Sequence, residues 1–98
     1  MMDIAATFGN DQTRLSTLER DVNKALDNAM KWYRIEFPNR TRAHYAMVCY
    51  FMAGFTAPMI ELLTSIPKNT LYSKKSRLLD EIRESSALHK DLFLLAIK

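Results

Sequence analysis

Residues 43–60 contain no Asp, Glu, Lys or Arg, so nothing in that run marks a face for water. A helix that is apolar all the way round must be covered on every side, by other helices of its chain, by a second subunit or by lipid. The run reaches the lower end of the length that spans a bilayer. Against a span stand His44, Gly54, Thr56, Pro58 and several alanines, and Glu61 follows at once. The covering is therefore expected to be protein.

A chain of 98 residues makes one domain with one core, and roughly a third of the surface of its unfolded form stays exposed. Two Gly and three Pro, with Ala, Leu, Met, Lys, Arg and Glu plentiful, favour helices over sheets. The expected fold is all-α: a compact bundle of three to four helices over residues 1–98, with a Gly/Pro-kinked central helix, in an oligomer. A net charge of +3 and a pI near 9.2 permit binding to nucleic acid or to an acidic partner and demand neither. Cys49 is the only cysteine, which excludes an intrachain disulfide and a zinc site built on cysteine pairs. The start lacks a basic segment followed by an apolar one, so no secretory signal is expected. A cytoplasmic setting is the corollary, and the Asn39-Arg40-Thr41 sequon is then incidental.

Residues 1–9 have no clear period and read as a tail or short docking turn, with Asn10 or Asp11 placed to cap the first helix. Leu15, Leu18, Val22, Ala25, Ala29 and Trp32 alternate steps of three and four, which predicts one amphipathic helix over about 12–36. Phe37-Pro38-Asn39 ends it. The central segment carries its only basic flank at Arg40 and Arg42. Pro58 falls inside its helical pattern, where the ring presses on the carbonyl of Gly54, so two segments, about 40–56 and 57–65, should meet at an angle. After Ile66-Pro67, Asn69 or Thr70 can cap a third helix with Leu71, Leu78, Leu79 and Ile82 inside. Residues 92–97 form a final apolar run, read as helix because no partner strand exists elsewhere.

The available catalytic groups are His44, His89, Cys49, Glu61, Asp80, Glu81 and Glu84. His44 and Cys49 are five residues apart and turn to different helix faces, so they do not make a nucleophile and base. The acids of the third helix alternate with Arg77 and Arg83, the pattern of a solvated face. The two histidines lack a carboxylate at ligand spacing, and there is no glycine-rich phosphate loop. No enzymatic activity, metal or cofactor is expected.

Residues 60–82 have the outline of a helix, a short turn and a basic second helix. Such a unit needs apolar side chains where its helices cross. A turn at Ser65 puts Glu61 and Lys74 there, both charged, and the cations Lys74, Lys75 and Arg77 are followed by Asp80, Glu81 and Glu84. DNA binding through the basic helix 70–84 is thus the alternative. The favoured reading is a small regulator that binds another protein, possessing an adaptable apolar surface of Met47, Phe51, Met52, Phe55, Met59, Leu92, Phe93 and Leu95 for a partner or for its own copies. Arg40, Arg42, Lys74, Lys75 and Arg77 would orient an acidic partner, for instance a repressor. In size and helix content the chain is similar, in general character only, to phage-encoded antirepressors and inhibitors and to secretion chaperones, and no residue is carried over from them.

Overall fold

The computed structural model describes residues 12–97, with side chains from Leu15 onward. The tail and cap expected before Gln12 lie outside the described residues. Among the described residues there are six helices and no strand: α1 (Gln12–Ala25), α2 (Ala29–Glu36), α3 (Arg42–Met52), α4 (Ala57–Thr64), α5 (Lys68–Glu84) and α6 (Lys90–Ile97).

The helix expected over 12–36 is two helices. Asp27 and Asn28 both take left-handed backbone, with φ of 54° and 64°. Short polar side chains tolerate that region better than most. The Asn28 N–H reaches back to the Asn23 carbonyl at 2.8 Å, and the Asn23 side chain accepts the Lys31 N–H at 3.1 Å. These bonds satisfy groups that a helix end otherwise leaves open.

The charge-free run is likewise divided, though not by a proline kink. Gly54 ends α3 with φ 91°, a conformation that strains any side-chain-bearing residue. Its N–H bonds the Phe51 carbonyl, the Phe55 N–H bonds the Tyr50 carbonyl at 3.0 Å, and the Phe55 ring stacks on Tyr50 at 5.5 Å. That pair of bonds with its apolar contact closes a helix C-terminus. Thr56 then caps α4, its hydroxyl accepting the Met59 N–H. Pro58 sits in the first turn of α4, where its missing N–H has no partner to lose. The bend expected at Pro58 is thus the gap between two separate helices.

α3 packs on α1, α2 and α6, while α6 packs on α2, α3 and α5. Tyr45, Met47, Val48, Cys49, Tyr50, Phe51 and Met52 are all buried, which encloses α3 through most of its length. Of the coverings open to the charge-free run, helices of the same chain supply most of the one over α3. Two kinked or crossing helices would leave a side open, but splitting the first helix and folding α6 back supplies extra walls.

Tyr33 lies at the centre. Its ring stacks on Phe37 at 4.9 Å and meets Phe93 and Tyr45 edge-on at 5.5 and 6.1 Å. The Tyr45 hydroxyl donates to the Phe37 carbonyl at 2.6 Å, and Arg34 lies over the Tyr45 ring while making a two-pronged pair with Glu19. These contacts join α1, α2, α3 and α6. Beside this cluster Glu36 accepts the His89 N–H at 3.1 Å and holds its Nδ1 at 2.5 Å, and the His89 ring stacks on Trp32 at 4.5 Å. α6 is clasped to α2 just before its first residue.

Phe93 and Leu95 are two positions apart on α6, the first fully buried and the second 64% exposed. Phe93→Ala should cost about 3–5 kcal/mol of unfolding free energy in urea titration. Leu95→Ala should stay within about 0.5 kcal/mol.

Candidate functional site

α4 rests chiefly on α5, and the two are joined by residues 65–67. Ile60 and Ala57 turn α4 inward. Ser65 ends it in left-handed backbone, φ 64°, with its N–H on the Glu61 carbonyl at 2.8 Å. The Thr64 hydroxyl donates to the Ile60 carbonyl and accepts the Ile66 N–H, so the turn is held at both sides. Across this turn the Glu61 carboxylate accepts the Lys68 N–H at 2.8 Å. It stands at the N-terminus of α5, where the helix dipole favours negative charge and an unpaired N–H needs an acceptor. Pro67, which precedes the helix, supplies no side-chain cap, so Glu61 takes that role.

Leu71, Leu78 and Ile82 turn α5 to the core. Asn69, Thr70, Ser73, Lys74, Ser76 and Arg77 are exposed. Beyond Arg77 the surface turns acidic: Asp80 pairs with Arg83 at 3.2 Å, and Glu81 pairs with Arg40 from the segment before α3. Arg40, Arg77, Asp80, Glu81 and Glu84 line one shallow groove with Phe37.

Of the five cations expected to orient a partner, Arg40 and Arg77 share this groove, and the fields of both Arg40 and Lys74 act on His44. Arg42 is exposed at the start of α3. Lys75 differs: it is half-buried, its ammonium 5.2 Å from the centre of the Phe51 ring. The fold thus gathers Arg40, Lys74 and Arg77 from distant parts of the chain onto one side.

The apolar candidates divide. Met47, Phe51, Met52 and Phe93 are in the core and present no surface to a partner, a correction to the interface expected of them, because sequence cannot say which sides of a charge-free helix its own chain covers. Phe55 and Leu92 are half-buried, while Met59 at 44% and Leu95 at 64% are exposed. Leu62, 73% exposed on α4, and Leu88, 91% exposed before α6, were not among the candidates. The spacing of Leu88, Leu92 and Leu95 at i, i+4 and i+7 was a signal that could have found the second.

The catalytic candidates do not converge. The Tyr33 hydroxyl and His44 Nε2 are hydrogen-bonded at 2.7 Å. Burial, and next the charge of Arg40, hold the His44 pKa below its ordinary value, with Lys74 adding and Glu81 opposing. Burial raises the Tyr33 pKa further above its ordinary value, so the hydroxyl stays neutral. Cys49 is fully buried and its thiol pKa is pushed up to about 12, chiefly by burial. A thiol without thiolate character is a poor nucleophile. His89 is taken up by Glu36 and Trp32 in holding α6. Among the described residues no group of three or more His, Cys, Asp or Glu side chains is placed to hold a metal ion, and no helix is long and apolar enough to cross a membrane. Comparison with protein-family models, curated proteins and solved structures finds no match.

The folded chain prefers neutral His44, so this residue contributes stability above the ordinary histidine pKa, and the contribution is lost as pH falls through the lowered one. Between about pH 8 and about pH 5 the thermal midpoint of the wild type should fall further than that of His44→Gln, whose amide can still accept from Tyr33. Cys49 should resist a colorimetric thiol reagent in the native protein and react at once in denaturant.

Proposed function

We propose that the protein is a non-enzymatic regulator that binds duplex DNA through α4, its turn and α5, which puts the alternative raised by the sequence in first place. The observation that carries this reading is the Glu61 carboxylate capping α5 at 2.8 Å across residues 65–67. In the sequence Glu61 is a charge that argues against two crossing helices; in the fold it is the link that sets one helix on the other. Lys74, the second objection, is exposed instead of lying under α4, and Leu71 nearby on α5 is fully buried. The result has the parts of a helix-turn-helix: a short first helix, a tight turn with a left-handed residue and a longer second helix whose leading half is polar and basic. Arg40, paired with Glu81 of α5, adds a cation at the edge of that helix.

A second reading keeps a protein as partner, either another regulatory protein such as a repressor or a further copy of this chain. Leu88 and Leu95, with half-buried Leu92 between them in the chain, and Met59 and Leu62 on α4 support it, since exposed apolar side chains gathered on a surface are a common mark of contact. The two readings are compatible, because regulators of this kind often bind two half-sites as dimers. A cytoplasmic setting belongs to the same proposal.

Gel-shift titration at several salt concentrations tests the first reading. Affinity for a mixed-sequence duplex should fall steeply with salt, and Lys74→Ala should lower the slope of log K against log salt by about 1. No shift even at low salt would sink it. Light scattering tests the second: Leu88→Lys/Leu95→Lys should leave the helical signal intact while reducing any concentration-dependent mass.

A further inference from the structure

α5 is built so that only its stretch from Lys68 to Arg77 can approach a polyanion, and the side chains on that stretch divide into two chemical kinds. With Leu71, Leu78 and Ile82 buried, a helix of 100° per residue turns Asn69, Ser73 and Ser76 directly away from the core, with Arg77 beside them. Lys68 and Lys74 fall on the two flanks of that stripe. The centre is short and hydrogen-bonding, and the flanks are cationic. One turn past Ser76 the same stripe reaches Asp80 and then Glu84, which phosphate repels.

These charges are not where the stability of α5 would put them. Lys68 lies in its first turn and Glu84 is its last residue, each unfavourable with the helix dipole, and only Arg83 in the last turn agrees with it. Local preferences broken in this way mark places where a surface serves something besides the fold.

Resting on the DNA-binding reading above, we propose that the stripe Asn69–Ser73–Arg77 reads base edges in the major groove, with Lys68 and Lys74 on the flanking phosphates. The major groove admits one α-helix, and recognition helices contact bases through their N-terminal residues. From Asn69 to Arg77 is about 12 Å along the helix, about the rise of three to four base pairs. Asn offers paired hydrogen bonds to adenine N6 and N7, and Arg offers them to guanine O6 and N7. The acids at Asp80 and Glu84 stop deeper entry and set the register. The recognised element is thus a short core with an A·T pair at one end and a G·C pair at the other, three to four steps apart.

Selection of bound duplexes from a random library by the full chain tests this, followed by titration of the selected site and a random duplex with each variant. Asn69→Ala, Arg77→Ala and Lys74→Ala all change exposed positions, and circular dichroism confirms that each folds. The selected core should carry the A·T and G·C pairs at that spacing. Arg77→Ala should reduce the preference for guanine roughly tenfold or more while changing affinity for random duplex only a few-fold, and Asn69→Ala should do the same at the adenine position. Lys74→Ala should weaken selected and random duplexes alike. Duplex binding without an enriched core, or equal losses on both duplexes from Arg77→Ala, overturns base reading and leaves DNA binding standing. Equal or tighter binding to single-stranded DNA or RNA overturns the major-groove mode. No binding to any duplex at low salt overturns both proposals.

Discussion

The enclosure of α3 is the constraint on which everything else in this protein depends. A helix with no Asp, Glu, Lys or Arg after its first residue gains only by leaving water, and burying each large apolar side chain is worth about 1.5–3 kcal/mol. That gain is realised only if walls stand on all sides, and α1, α2 and α6 supply them. Tyr33 is the point where those walls meet, with Phe37, Tyr45 and Phe93 against its ring and His44 on its hydroxyl. The polar contacts at the margin, Arg34 with Glu19 and Glu36 with His89, act on helices that apolar packing has already brought together. Being partly exposed, they contribute less than the packing they trim.

With the core assigned to those helices, α4 is left with α5 as its principal neighbour. Its remaining apolar side chains, Met59 and Leu62, therefore stay in water, and its orientation is set by Ile60, Ala57 and the turn. The Glu61 contact matters here because a short helix has little area with which to fix an angle. A carboxylate on the first N–H of α5 meets both a hydrogen-bonding need and the field of that helix. What emerges is a two-helix unit, joined by a hydrogen-bonded turn, that displays the polar, basic half of α5 on a packed scaffold.

The all-helical character of the chain, the inward positions Leu71, Leu78 and Ile82, and helical structure near the C-terminus were legible in the residues. So were the positions of most breaks, though not their causes. Asp27-Asn28 was hidden by an apolar stripe that continues through it, since Ala25 keeps the period while being exposed. Pro58 drew attention as a helix breaker, when Gly54 had already ended α3 and Thr56 had started α4. The candidate surface was legible in part: the cations of α5 were visible, but Glu61 counted against them because a side chain that caps the next helix looks, in one dimension, like a charge in a core position. Met47, Phe51, Met52 and Phe93 were misplaced for the related reason that being apolar does not say what covers a residue.

The sequence by itself determined that the middle of the charge-free run 43–60 must be covered and that helices must do the covering, because hydropathy and periodicity are local properties of the chain. Which helices would do it, and whether one chain suffices, was decided only by tertiary structure. Burial is a sum over neighbours distant in sequence, and α6, brought back onto α2 and α3 by Phe93 and the His89–Glu36 contact, is the neighbour that no local pattern announces.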